Sequence, residues 1–67
     1  MKEIIHQAEL TNGIRIELAH FGGNYSVKDY YPDGSRKDVR FFGSIESAGR
    51  FFNNIIDLDK ENPQGGK

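Results

Sequence analysis

The chain has 67 residues, no cysteine and a formal net charge of −1 at pH 7. That length allows one domain whose core is only marginally sufficient, and the lack of cysteine excludes disulfide staples and thiolate metal sites. The near-neutral charge argues against nucleic-acid binding by bulk electrostatics, and no apolar run suits a membrane span or a signal peptide, so a cytoplasmic domain is expected.

Glu3 to Leu10 alternates Ile4, His6, Ala8 and Leu10 on one side with Ile5, Gln7 and Glu9 on the other. Ile14 to Phe21 alternates Ile14, Ile16, Leu18 and His20 against Arg15, Glu17, Ala19 and Phe21. Period two predicts two strands. A three-residue loop, Thr11-Asn12-Gly13, pairs Leu10 with Ile14, Ala8 with Ile16 and His6 with Leu18. A two-residue loop would pair Leu10 with Arg15 and mix the faces.

Gly22-Gly23 closes the next hairpin as a two-residue primed turn and sets His20 opposite Tyr25, Leu18 opposite Val27 and Glu17 opposite Lys28. In Tyr31-Pro32-Asp33-Gly34, Pro32 presets φ for the first corner and Gly34 takes the positive-φ position after Asp33. This loop is expected to pair Tyr25 with Phe41, Val27 with Val39, Asp29 with Lys37 and Lys28 with Asp38. The predicted strands span 3–10, 14–21, 24–31 and 36–42.

Ser44 is a candidate N-cap and Glu46 suits the first turn of a helix over 45–58. Ile45, Ala48, Phe51, Phe52, Ile55, Ile56 and Leu58 supply its apolar side. The fold class is therefore α+β: a four-stranded antiparallel meander with one C-terminal helix on one face, ββββα. One domain over 1–59 is followed by a tail over 60–67 expected to be disordered, since it has no apolar residue.

One face of the sheet is left open. Its expected rows are Glu9, Arg15, Tyr30, Arg36; then Gln7, Glu17, Lys28, Asp38; then Ile5, Ala19, Ser26, Arg40, with Phe21 and Phe42 beyond. Catalytic chemistry finds little footing in the sequence, which has no nucleophilic cysteine, no phosphate loop and no paired carboxylates in a predicted cleft, so a non-enzymatic role is expected. His6 and His20 are diagonal neighbours without a third ligand nearby, and read as histidines at the core margin, with no cofactor or metal implied.

Gly23-Asn24-Tyr25-Ser26-Val27-Lys28, the Asp33-Gly34 turn and the run Arg40-Phe41-Phe42-Gly43-Ser44-Ile45-Glu46-Ser47-Ala48 resemble the AP2/integrase amino-terminal type of DNA-binding domain, over roughly residues 23–56. The resemblance implies a three-stranded sheet backed by a helix, with the open face set into the major groove by Arg, Lys and aromatic side chains. Carried over by position, it nominates Arg15, Lys28, Tyr30, Arg36 and Arg40. The chain departs from that family in an additional first strand and in the acidic Glu9 and Glu17. Four strands followed by a helix is also similar in topology to dimeric single-strand-binding proteins, so a homodimer is an option.

Two functions follow as expectations. The first is a small non-enzymatic nucleic-acid-binding module acting through the open face, on duplex ahead of single-stranded DNA. The alternative is a protein-interaction module, a small inhibitor or adaptor of phage or mobile-element type, using the same face or Phe21 and Phe42.

Overall fold

The computed structural model describes residues 2–61. Four strands, β1 (Glu3–Glu9), β2 (Arg15–Phe21), β3 (Asn24–Tyr30) and β4 (Arg36–Phe42), precede one helix, α1 (Ile45–Glu61). The strands form one antiparallel sheet in the order β1-β2-β3-β4, and the helix packs across β2, β3 and β4. This is the ββββα arrangement that the turn residues and strand periodicity predict.

The turns follow from their glycines. Gly22 and Gly23 both have positive φ, 59° and 88°, as a primed two-residue hairpin turn requires. Gly13 and Gly34 close the two three-residue loops at φ 90° and 95°. In each loop the flanking residues pair through the backbone: Leu10 N–H donates to Ile14 O at 2.7 Å, and Tyr31 N–H to Ser35 O at 2.8 Å. Asp33 accepts the Ser35 N–H at 2.9 Å and the Ser35 hydroxyl at 2.7 Å. These bonds hold its carboxyl below the usual carboxylate range, the backbone bond most.

The core is built from the helix-facing side of β2 and β3: Ile14, Ile16, Leu18 and Val27 meet Ala48 and Phe52 of α1. Ile16, Val27 and Phe52 are the largest fully buried side chains, each contributing about 1.5–3 kcal/mol of hydrophobic stabilisation. His6 meets the Phe52 ring edge-on at 5.2 Å, and His20 stacks on Tyr25 at 4.6 Å. Among the described residues no group of three or more His, Cys, Asp or Glu gathers in a metal-binding arrangement. No described helix is long and apolar enough to cross a membrane.

The helix starts as expected: Ser44 Oγ accepts the Ser47 N–H at 3.2 Å. It runs through Lys60 and Glu61, beyond the expected end at 58, so those two residues are helical and not part of a tail. The rest of the expected tail, 62–67, lies outside the described residues. Leu58 does not join the apolar side but is exposed, and Asp59 is buried in its place. Helical geometry explains this: positions 48, 52, 55, 56 and 59 share one stripe at ~100° per residue, and 58 falls outside it. The Asp59 carboxylate accepts the Thr11 N–H at 3.0 Å and the Thr11 hydroxyl at 2.9 Å. The end of α1 is thereby tied to the β1–β2 loop.

The register departs from unbroken alternation at both sheet edges. In β1 it shifts between Ile4 and His6, so Ile4 lies opposite Ala19 instead of His20. In β4 it shifts opposite the Asp29/Tyr30 step: Tyr30 still pairs with Arg36, but Asp29 then pairs with Asp38, Lys28 with Val39, Val27 with Arg40, Ser26 with Phe41 and Tyr25 with Phe42. Lys37 is the additional residue of that bulge. The expected pairs Tyr25–Phe41, Val27–Val39, Asp29–Lys37 and Lys28–Asp38 are therefore each displaced by one. The bulge turns Phe42 toward the helix just before the chain enters α1. There its ring packs on Phe51 at 5.4 Å, and the Arg40 guanidinium lies over the same ring at 5.3 Å.

Candidate functional site

The open face carries three complete rows across the sheet. The first is Glu9, Arg15, Tyr30, Arg36, as the sequence predicts. The second is Gln7, Glu17, Lys28, Val39, and the third is Ile4, Ala19, Ser26, Phe41. Phe21 and Asn24 pair beyond the third row. The β4 bulge thus replaces Asp38 and Arg40 on this face with Val39 and Phe41, and the β1 irregularity brings Ile4 onto it.

Of the residues nominated from the sequence, Arg15, Tyr30 and Arg36 are brought together in one row with Lys28 in the next. The Arg15 guanidinium sits 4.9 Å from the centre of the Tyr30 ring, an exposed cation–π contact worth about 0.5–1 kcal/mol. Arg40 is not part of this group. Expected on the open face, it lies on the helix side, where the Lys37 bulge turns it toward Phe51. Phe42, expected near the end of the open face, moves to the helix side for the same reason.

Among the described residues no helix covers the open face, yet its centre is not bare. Glu17 is 5% exposed, and Ala19 and Ser26 are also buried. Glu17 is kept out of water as an ion pair: the Lys2 ammonium donates to its Oε2 at 3.1 Å. Sequence reasoning missed Lys2 because it precedes the first strand; the cue was its place two residues before Ile4, on the same side of an extended chain.

A shallow groove of about 240 Å³ is lined by Lys2, Phe21, Asn24, Tyr25, Ser26, Lys28 and Phe41. Phe41 is 71% exposed and Phe21 60% exposed, with Ile4 and Ile5 also exposed. A large ring standing open above a sheet row loses nothing structurally if a partner covers it and gains its burial energy when one does. The cations Lys2, Arg15, Lys28 and Arg36 outnumber the acids Glu9 and Glu17 on this side. The face therefore combines apolar relief, aromatic rings and guanidinium groups, the composition of contact surfaces. No protein-family model, curated protein or solved structure matches this chain.

Proposed function

We propose that this chain is a small non-enzymatic protein-interaction module, an adaptor or inhibitor that binds its partner through the open face of its sheet. The observation that carries this reading is the β4 bulge, which exchanges Asp38 and Arg40 for Val39 and Phe41 on that face. The exchange removes a phosphate-directed cation and adds two apolar side chains beside Ile4 and Phe21. Partner surfaces bury aromatic and Arg anchors inside a polar rim, and Phe41, Tyr30, Arg15 and Arg36 supply both kinds. The proposal places the module in the cytoplasm.

A second reading, nucleic-acid binding, is favoured by one observation, the row of Tyr30 between Arg15 and Arg36. Together with Lys2 and Lys28 it would hold phosphates while bases stack on Tyr30, Phe21 or Phe41. The two readings separate in one experiment. Titrated at low salt with duplex and single-stranded oligonucleotides, a protein-interaction module gives no binding isotherm. Immobilised, it retains a partner that the Phe41→Asp variant loses. Oligonucleotide binding that weakens steeply with salt overturns the protein reading and establishes the second.

A further inference from the structure

The outer rows of the open face are complementary to their own reversal. Take two copies stacked face to face about a twofold axis that lies between β2 and β3 and runs along the strands. A residue on β1 of one copy then faces β4 of the other, and β2 faces β3. In the first row this sets Glu9 against Arg36 and Arg15 against Tyr30; in the second, Glu17 against Lys28 and Gln7 against Val39; in the third, Ile4 against Phe41 and Ala19 against Ser26. By position, opposite charges face each other twice, a guanidinium faces a ring and the large apolar residues face each other, while the buried Ala19 and Ser26 put no bulk at the axis. No row sets like charges against each other.

We infer that the occupant of the open face is a second copy of this chain, seated about this twofold. The inference rests on the protein-interaction reading and names its partner. A C2 contact needs a surface that is complementary to itself, and the first and third rows meet that requirement independently. Glu9 and Arg36, which face each other across the twofold, are both exposed and free to meet. Ile4 of each copy reaches the groove wall formed by Phe41 of the other.

The sheet edges point the same way. β1 and β4 each carry a register irregularity, and β4 is studded with Arg36, Lys37, Asp38 and Arg40. Bulges and charges on edge strands oppose pairing edge to edge, which leaves the face as the contact. Four strands ~4.8 Å apart and seven residues at ~3.3 Å give a footprint of about 440 Å² in projection, before side-chain relief is counted. That corresponds to the small end of specific interfaces and to a weak, concentration-dependent dimer.

The test is a paired charge reversal read by sedimentation velocity or light scattering across a concentration series. Glu9→Arg sets two guanidinium pairs against each other across the twofold, and Arg36→Glu sets two carboxylate pairs. Each variant alone is expected to weaken the dimer by about tenfold or more, because the symmetry counts every change twice. Both positions are exposed, so the thermal melt of each monomer stays within a few degrees of the wild type. An equimolar mixture of the two variants restores association as a heterodimer, because each reversed charge then meets its opposite. Phe41→Ser, which leaves the core intact, is expected to abolish association without a charge change.

A wild-type chain that stays monomeric up to about 1 mM overturns the inference, as does a mixture that fails to associate when the wild type does. Variants that dimerise like the wild type overturn it as well. None of these results bears on the oligonucleotide titration and Phe41→Asp capture that decide the protein-interaction reading, so the two failures are distinguishable.

Discussion

The link between Asp59 and Thr11 is the contact whose removal is most informative about how α1 is held. Asp59→Ala deletes two hydrogen bonds to a carboxylate, at 3.0 and 2.9 Å. Bonds to a charged group contribute about 1.5–3 kcal/mol, and the exposure of Thr11 offsets part of that loss. The substitution also removes an anion from the last turns of a helix, where the macrodipole disfavours it by about 0.3–1 kcal/mol. The net expectation is a loss of about 1–2 kcal/mol, which lowers Tm by about 5–15 °C in a domain of this size. Urea unfolding followed by circular dichroism gives the free energy directly, and Thr11→Val combined with Asp59→Ala completes a double-mutant cycle. A non-additive term of about 0.5–1 kcal/mol is expected from the hydroxyl bond. Additive single changes, or a Tm within about 2 °C of the wild type, would refute the tether and leave α1 held by its apolar stripe alone.

Phe52→Ala is expected to cost about 3–5 kcal/mol, comparable with the whole stability of so small a domain, so the variant is largely unfolded by circular dichroism at room temperature. A folded variant with a near-normal melt would mean that α1 packs by another face. Asp29 is titrated differently: burial raises its carboxyl above the usual value of 3.8, opposed by Lys37 and reinforced by Asp38. The unfolded chain therefore loses that proton first as pH rises, and Asp29 withdraws stability between 3.8 and its raised folded value. Asp29→Asn should accordingly raise Tm at pH 7 and leave it unchanged near about pH 3; a lower Tm at pH 7 contradicts the assignment. Gly13→Ala should destabilise, because φ is +90° and the new Cβ would sit 3.1 Å from Pro32 Cγ; a gain in Tm would show that the two loops do not abut.

What the sequence revealed and what it concealed follow from the range of the signals. The turns were legible because Gly13, Gly22-Gly23 and Gly34 sit where positive φ is needed, and each turn fixes the register nearest to it. The row Glu9, Arg15, Tyr30, Arg36 lies next to two such turns and was read correctly. Alternation fails farther out, because a bulge leaves no mark on composition. The run Lys37-Asp38-Val39-Arg40-Phe41-Phe42 offers Val39 and Phe41 to one face or Phe42 to the same face, and only the meeting with Phe51 decides between them. Arg40 was misplaced by that ambiguity. Asp59 was hidden for another reason: its partner Thr11 is 48 residues away, and an acid near a helix end reads as solvated.

That same separation bears on the order of folding. Every strand pairs only with its neighbour in sequence, through loops of two to five residues, so the meander closes through short-range steps of low entropic cost. The bond that spans 48 residues can form only after the sheet is assembled and α1 has docked. An interaction made after the barrier slows unfolding without speeding folding. Thr11 and Asp59 therefore act as a latch on the lifetime of the native state, and in a chevron the Asp59→Ala variant should raise the unfolding limb while its refolding limb lies on that of the wild type.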